Sequence, residues 1–172
     1  MVYKSQISYT LINVFLKGFE MNTIGIRVKP HSVIFAIYDT ADNNIVNVEH
    51  LKIPKALPVP IALKYVRSSI LDILREYKIN KAGLRVVESS SQTKNIRRIE
   101  IEGVIQEAFA SSMLSAYFCG QISKIASMLN MPRVDFKKYI DGEIEYDSVE
   151  NWNNHNKEER EAILVSIGAV DA

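Results

Sequence analysis

The sequence predicts an α/β fold: a five-stranded mixed sheet, made of a three-strand antiparallel meander and then alternating helices and strands, with helices on both faces. Two observations predict it. Residues 23–53 contain three consecutive segments rich in β-branched and aromatic residues, separated by turn signals. Beyond residue 60, amphipathic helical segments alternate with short apolar strands, as in sheets whose parallel strands are joined by helices.

The meander begins with strands at residues 23–29 and 32–40, joined by a turn in which Pro30 fixes the backbone. A third strand is expected at residues 45–53. Its alternation of apolar and polar residues slips at Glu49 and His50, which predicts a β-bulge there.

The second half alternates between the two element types. Apolar residues at helical spacing predict an amphipathic helix over 60–78, and a second long helix is expected over 96–114. The remaining predicted elements are strands at 84–88 and 116–119, a short helix ending near Asn130, and a last helix from Lys157 to about Val170 capped by Asn156. Residues 133–154 are expected to be irregular, with Trp152 anchoring them to the core. Right-handed crossovers place the fourth strand beside the first, which becomes central.

Length and composition indicate one domain. The chain has 172 residues, of which 47% are hydrophobic, so a full core can form. We expect residues 21–172 to form this domain. Residues 1–20 carry apolar residues at helical spacing, and Met21 directly precedes the first strand. We favour an upstream extension with Met21 as the true start, and the alternative is an amphipathic helix that binds a partner.

Charge and cysteine content restrict the expected partners and location. The net charge is only +1, from 21 basic and 20 acidic residues, so a nucleic-acid interface would need a local basic patch. The single cysteine, Cys119, excludes a disulfide within the chain and favours a reducing, cytoplasmic location. No apolar run is long enough to span a membrane, so we expect no membrane partner.

Four short motifs stand at matching places in this order. The first strand contains Gly25-Ile26-Arg27, and the fourth ends in Val86-Val87-Glu88. The following helix contains Glu102-Gly103-Val104-Ile105, and the last helix carries Glu158 and Glu161, three residues apart, before Ala162. Their order and spacing resemble the RNase H-like superfamily, and more closely its RuvC-type resolvases. The chain also resembles small uncharacterised bacterial proteins of this fold that have lost the first acidic residue.

The resemblance implies a candidate active site. Enzymes of this superfamily cut phosphodiesters with two divalent cations held by carboxylates, and Glu88, Glu158 and Glu161 would supply those carboxylates here. Glu88 and Glu161 would then hold Mg²⁺ or Mn²⁺. Arg27 stands where the family has an aspartate, so the site is expected to be degenerate and to need no metal, with Arg27 paired to Glu88 or Glu161.

Purely structural roles would also account for these residues. Glu158 lies in the first turn of a helix, where an acidic side chain stabilises the helix dipole. A one-residue shift of register would turn Arg27 to the other face of the sheet. The basic residues Lys94, Arg97 and Arg98 lie near the open end of the fourth strand and are candidates for nucleic-acid binding, although such clusters are commonly only solvated.

Three functional hypotheses follow. The one we favour is a catalytically impaired RuvC-like domain that binds nucleic acid or a protein partner through a cleft around Arg27, Glu88, Ser89 and Arg97. The second is a divalent-metal-dependent nuclease that uses Glu88, Glu158 and Glu161 despite Arg27. The third is a structural or interaction protein that acts through residues 1–20 and the sheet edge.

Overall fold

The computed structural model describes residues 21–172, so the expectations for residues 1–20 lie outside it. The predicted fold is confirmed: one five-stranded mixed sheet has the order β3-β2-β1-β4-β5, with β1 central. The strands are β1 (Asn22–Lys29), β2 (Ser32–Asp39), β3 (Asn44–Lys52), β4 (Ile79–Arg85) and β5 (Ala116–Gly120). The helices are α1 (Val59–Glu76), α2 (Ile96–Ala110), α3 (Ile122–Met128), α4 (Arg133–Asp141) and α5 (Lys157–Gly168).

The strand directions bring the carboxyl ends of three strands to one end of the sheet. Strand β1 pairs antiparallel with β2 and parallel with β4, and β4 pairs parallel with β5. The carboxyl ends of β1, β4 and β5 therefore meet at one edge, and the chain leaves β4 and β5 there to enter α2 and α3.

Helices cover both faces, as predicted, because β1 and β2 are buried on both sides. One face of β1 carries Ile24, Ile26 and Val28 into a core shared with α1 and α2. The other face of the sheet lies on a second core, shared with α3, α4 and α5, which includes Trp152, 1% exposed. The indole Nε1–H donates to the carbonyl of Tyr139 at 3.2 Å, so Trp152 anchors its loop to the core as predicted.

Several predicted boundaries are wrong. Strand β4 spans Ile79–Arg85 rather than 84–88, so Glu88 lies three residues beyond the strand. Helix α2 ends at Ala110 instead of continuing to 114. The bulge lies at Val46, which is skipped between the pairs Ile37–Asn47 and Tyr38–Ile45, and not at Glu49 and His50.

The largest error concerns residues 133–154, which are not all irregular. Helix α4 occupies Arg133–Asp141, and Trp152–Asn154 form a short 3₁₀ helix. Helix α4 forms because Phe136 and Ile140, four residues apart, both pack into the core, being 0% and 2% exposed. Gly142 ends it in a left-handed conformation with φ of 76°.

Helix α5 lies directly on β1 because glycine removes the side chain between them. A Cβ at Gly25 would overlap the backbone of Ala162 and Ser166. The residues of β1 on this face contact α5 in succession: the Thr23 hydroxyl donates to Ser166 O at 2.6 Å, and Arg27 and Lys29 reach Glu161 and Glu158. The predicted cap of α5 is also present, with Asn156 and Glu159 forming a reciprocal capping box.

Substituting Gly25→Ala is expected to destabilise the fold by about 1–3 kcal/mol, since backbone on both sides must move apart. Gly103→Ala is the matched control: its Cβ would meet nothing within 4 Å, so the gain in helix propensity is expected to stabilise α2 by about 1 kcal/mol. Denaturant unfolding of both variants measures the difference. Equal stabilities of the two variants would contradict the close contact between β1 and α5.

No helix within residues 21–172 is long and apolar enough to cross a membrane.

Candidate functional site

Two arginines stand side by side at the carboxyl ends of β1 and β4. Arg27 and Arg85 are register partners in the parallel pair, two residues beyond the paired glycines Gly25 and Gly83. Because strand side chains alternate between faces, both arginines point to the face covered by α5. The observed register of β1 therefore places Arg27 on the face toward α5. The alternative, a one-residue shift that would turn Arg27 to the opposite face, does not occur.

A single carboxylate, that of Glu161, lies between them. Glu161 Oε2 forms an ion pair with Arg27 Nε and lies 3.9 Å from Arg85 Nε. Glu161 and Arg85 are each only 4% exposed, whereas the Arg27 side chain is 15% exposed. We call Arg27, Arg85 and Glu161 the strand-end cluster. Of the two partners predicted for Arg27, the structure shows Glu161.

The strand-end cluster has two positive charges and one negative charge, and it is incompletely hydrogen-bonded. Within residues 21–172, Arg27 Nε, Arg85 Nε and Glu161 Oε2 are shielded from solvent and have no well-aligned hydrogen-bond partner. Burial lowers the pKa of Arg85 from its ordinary value; the Glu161 carboxylate opposes this shift and the charge of Arg27 adds to it. The carboxylates of Glu161 and Glu88 therefore both offset the cost of burying Arg85.

Glu88 stabilises the start of a helix near this cluster. Its Oε1 accepts from the backbone N–H of Ile122 at 3.0 Å and lies 3.0 Å from Arg85 Nη2, and its Oε2 lies 3.7 Å from Arg133. Arg85 thus connects Glu88 to Glu161. Since β4 ends at Arg85, it is this arginine, and not Glu88, that stands beside Arg27 at the strand ends.

Glu158 is held away from the strand-end cluster by a lysine. Its Oε1 accepts from Lys29 Nζ at 3.1 Å. Burial alone would raise the pKa of Glu158, but the hydrogen bond from Lys29, a backbone hydrogen bond and nearby positive charges lower it overall. The structure therefore brings Arg27 and Glu161 together and gives Glu158 a separate partner.

Glu159 connects α5 to β3 and to the preceding loop. Its carboxylate contacts His50 Nε2 at 2.7 Å and His155 Nδ1 at 3.5 Å, and it accepts from the backbone N–H of Asn156 at 2.9 Å. Burial opposes ionisation of Glu159, but the backbone hydrogen bond and the contact with His50 lower its pKa below the ordinary value of 4.5.

This lowered pKa predicts an acid-dependent loss of stability. Because the folded pKa lies below the unfolded one, ionised Glu159 stabilises the fold above the unfolded pKa, and this contribution is lost as pH falls through the folded pKa. Glu159→Gln is therefore expected to lower the melting temperature at about pH 6, and its difference from the parent is expected to narrow as the pH falls from about 6 through 4.5 and below. Melting curves of the parent, Glu159→Gln and the exposed control Glu150→Gln measure this. A constant gap between parent and Glu159→Gln across that range would contradict it.

A further buried ion pair, missed in the sequence, lies at the start of α2. Glu102 is 3% exposed; its Oε1 accepts from Arg98 Nε at 2.6 Å and its Oε2 accepts from the backbone N–H of Val87 at 3.0 Å. The signal was present as Arg98 and Glu102 four residues apart beside the buried position Ile101. Burial lowers the pKa of Arg98, and the charge of Arg27 lowers it further.

The other predicted basic residues are more exposed. Lys94 is exposed, and Arg97 lies 4.0 Å from Glu100 with its Nη1 lacking an acceptor among the described residues. Nearby, burial raises the pKa of the Cys119 thiol to about 11, and the charge of Glu102 adds to the shift. A thiol with this pKa is protonated at neutral pH, which agrees with a packing role for Cys119.

The residues at the strand ends do not fit a divalent cation. Mg²⁺ and Mn²⁺ take carboxylate and water oxygens, but Glu161 has guanidinium groups on both sides. Among residues 21–172, no group of three histidine, cysteine, aspartate or glutamate side chains is placed to hold a metal ion. The strand-end cluster therefore contains cations of its own where a metal would need acceptor oxygens.

No protein-family model matches the sequence, and comparison with curated proteins finds no match. Solved structures do match. RuvC of Thermus thermophilus is similar over 88% of this chain and 94% of its own, with a TM-score of 0.63 and 8% identity. The same resolvase in complex with a Holliday junction substrate gives a TM-score of 0.60, 9% identity and the same coverage. The yeast mitochondrial Holliday junction resolvase Ydc2 gives 0.53 and 15% identity over 88% of this chain and 78% of its own. The chain thus has the RNase H-like, RuvC-like fold.

Proposed function

We propose that this RuvC-like domain binds nucleic acid at the carboxyl ends of β1 and β4 and does not cleave it. The observation that supports the proposal is the strand-end cluster, in which Arg27 and Arg85 flank the Glu161 carboxylate. It contains two fixed positive charges and one carboxylate where a metal-dependent nuclease needs acidic residues.

The size of the electrostatic effect supports the loss of metal chemistry. Two unit charges 4 Å apart interact by about 4 kcal/mol at an effective dielectric of about 20, so a guanidinium opposes a dication by about 8 kcal/mol. Arg27 and Arg85 would both exert this repulsion, and Glu161 would attract the ion. Glu88 offsets part of the repulsion from Arg85, with which it is paired, whereas Glu158 is paired with Lys29 outside the strand-end cluster.

The distribution of basic residues supports phosphate binding. Seven of them surround the carboxyl ends of the strands and the starts of the helices that follow, although the net charge of the chain is only +1. They are Arg27, Lys29, Arg85, Lys94, Arg97, Arg98 and Arg133. Arginine binds phosphate oxygens through paired N–H donors, and several of these donors lack acceptors within residues 21–172. The fold is also that of a resolvase seen in complex with a Holliday junction.

Binding and cleavage assays separate the proposal from a metal-dependent nuclease. Fluorescence anisotropy with four-way junction, duplex and single-stranded DNA is expected to show salt-dependent binding. Lys94→Gln and Arg97→Gln are each expected to reduce the salt slope by about 1. Arg75→Gln is the matched control, because Arg75 is exposed in the last turn of α1, away from the strand carboxyl ends.

Calorimetric titration with Mg²⁺ and Mn²⁺, together with cleavage assays on the same DNA substrates, tests the second half of the proposal. We expect no metal binding in the millimolar range and no cleavage. Cleavage that depends on metal and is lost in Glu161→Gln would establish the nuclease instead. Absence of any salt-dependent DNA binding would remove the nucleic-acid function.

A further inference from the structure

Three guanidinium groups lie within electrostatic range of one another behind the carboxyl ends of β1 and β4. Arg27 and Arg85 are neighbours across the strands and share Glu161. Arg98 joins them from α2, because its partner Glu102 also binds the backbone N–H of Val87, two residues beyond Arg85. The charge of Arg27 lowers the pKa of both other arginines, as expected for groups in mutual range. We call Arg27, Arg85 and Arg98 the arginine cluster.

Each member of the arginine cluster has a buried N–H donor without a well-aligned hydrogen bond, although Arg27 Nε faces Glu161 Oε2 in the ion pair. Arg27 Nε, Arg85 Nε and Arg98 Nη2 are shielded from solvent, and none has a hydrogen-bond partner among residues 21–172. Arg85 itself is only 4% exposed. Donors buried in this way are costly unless an acceptor reaches them, and the facing Glu161 Oε2 is itself without an aligned donor.

We propose that the arginine cluster binds a terminal phosphate, the phosphomonoester at the end of a nucleic-acid strand, whose oxygens displace the Glu161 carboxylate. This inference rests on the proposed function, since it assigns the part of the nucleic acid that binds at the carboxyl ends of β1 and β4. A phosphomonoester carries a charge of about −1.5 to −2 at pH 7 and presents three acceptor oxygens. Those three oxygens match the three donors of Arg27, Arg85 and Arg98.

The burial of the arginine cluster favours a terminal phosphate of the nucleic acid over an internal phosphate. The cluster reaches solvent through the Arg27 and Arg98 side chains, each 15% exposed, while Arg85 is only 4% exposed. An internal phosphodiester carries two bulky sugar substituents and leaves only two oxygens free. A terminal phosphate has one substituent, so it can enter more deeply and satisfy more of the buried donors.

Glu161 is then an internal competitor for the site. Its carboxylate supplies the negative charge between Arg27 and Arg85 when no ligand is bound. Replacing it with the neutral amide in Glu161→Gln removes the competing charge while keeping the size of the side chain. Affinity for a terminal phosphate is therefore expected to rise in this variant, which is the reverse of what a metal-binding glutamate would show.

The probes are one single-stranded oligonucleotide in three forms, bearing a 5′-phosphate, a 3′-phosphate or hydroxyls at both ends. Anisotropy at fixed salt is expected to show that one phosphorylated form binds the full chain about tenfold more tightly than the hydroxyl form. Comparison of the 5′ and 3′ forms identifies which strand end is bound. Inorganic phosphate is expected to compete with the phosphorylated form more effectively than chloride at equal ionic strength.

Variants test the residues. Glu161→Gln is expected to increase affinity for the phosphorylated strand about tenfold, and Arg98→Lys, which keeps the charge opposite Glu102 but loses the guanidinium fork, to reduce it about tenfold. Glu107→Gln and Arg75→Gln are the matched controls, being exposed residues outside the cluster. If Glu161→Gln does not fold, two measurements still decide whether the arginine cluster binds the terminal phosphate. They are the affinity of Arg98→Lys and the binding of the three oligonucleotide forms to the parent protein.

The outcomes distinguish this inference from the proposed function. Equal binding of the three oligonucleotide forms would overturn the proposal that the arginine cluster binds a terminal phosphate, and would leave nucleic-acid binding intact. Failure of all three forms to bind would remove both. A preference for a phosphorylated end that Glu161→Gln and Arg98→Lys leave unchanged would place the end elsewhere and overturn the assignment to the arginine cluster.

Discussion

The Arg27→Asp/Arg85→Glu double variant is expected to bind Mn²⁺ and Mg²⁺ with a Kd at or below about 1 mM, whereas the parent binds neither in that range. The two substitutions place carboxylates on adjacent parallel strands, facing Glu161 from α5. Each removes a repulsion of about 8 kcal/mol toward a dication at 4 Å and adds an attraction of the same order, before the cost of desolvation. Acidic residues then come from two strands and a helix.

The gain in metal affinity can be measured without an assay of catalytic activity. Without metal, the clustered carboxylates of the double variant repel one another, so we expect its melting temperature to lie below that of the parent. Metal that binds only the folded state then stabilises it, by about 1.4 kcal/mol at a metal concentration ten times the Kd. Calorimetric titration gives the Kd, and melting curves with and without Mn²⁺ give the linked stabilisation.

Two further variants make the result specific. Adding Glu161→Gln to the double variant is expected to abolish metal binding, because it removes the carboxylate from α5. Arg67→Asp/Arg75→Glu is the matched control, since it makes the same charge changes at exposed positions of α1. Metal binding by the parent equal to that of the double variant would show that Arg27 and Arg85 do not occupy a former metal position.

The fold could be predicted because its signals are local and repeated. The hairpin from β1 to β2 is encoded by dense β-branched residues around Pro30, and α1 by apolar residues at helical spacing. Helix α4 was missed because only two of its apolar residues, Phe136 and Ile140, are fully buried, while Val134 is 63% exposed. In a segment of nine residues, apolar residues on both the buried and the exposed side do not define a clear helical period.

The sequence predicted Arg27 and Glu161 as members of the candidate site but not Arg85 or Glu102. The resemblance indicated that Arg27 replaces an acidic residue and left Glu88 and Glu161 as its two possible partners, of which the structure shows Glu161. Arg85 was missed because the predicted strand extended to Glu88, three residues too far, and the end of a strand depends on where its neighbours stop. Glu102 was missed because an acidic residue in a helix is usually solvated, and only the tertiary contacts with Arg98 and Val87 reveal its burial.

Glu161→Ala is expected to destabilise the folded chain by about 3–5 kcal/mol, the second large effect. Glu161 is 4% exposed, and its removal leaves the buried Arg85 and the partly buried Arg27 without the carboxylate that they share. Denaturant unfolding measures the loss. Glu107→Ala is the matched control, because it removes an ion pair whose partners are both exposed, and it is expected to change stability little.

Much of this loss is the penalty for leaving Arg27 without a carboxylate and Arg85 with Glu88 alone, so removing both guanidinium groups is expected to recover it. The triple variant Arg27→Met/Arg85→Met/Glu161→Leu fills the same space with apolar side chains, and we expect it to be at least about 2 kcal/mol more stable than Glu161→Ala. Such recovery, accompanied by loss of nucleic-acid binding, would mean that the buried charges are retained for binding rather than for stability. A triple variant no more stable than Glu161→Ala would instead show that the strand-end cluster holds α5 against the sheet, and would make its charges structural.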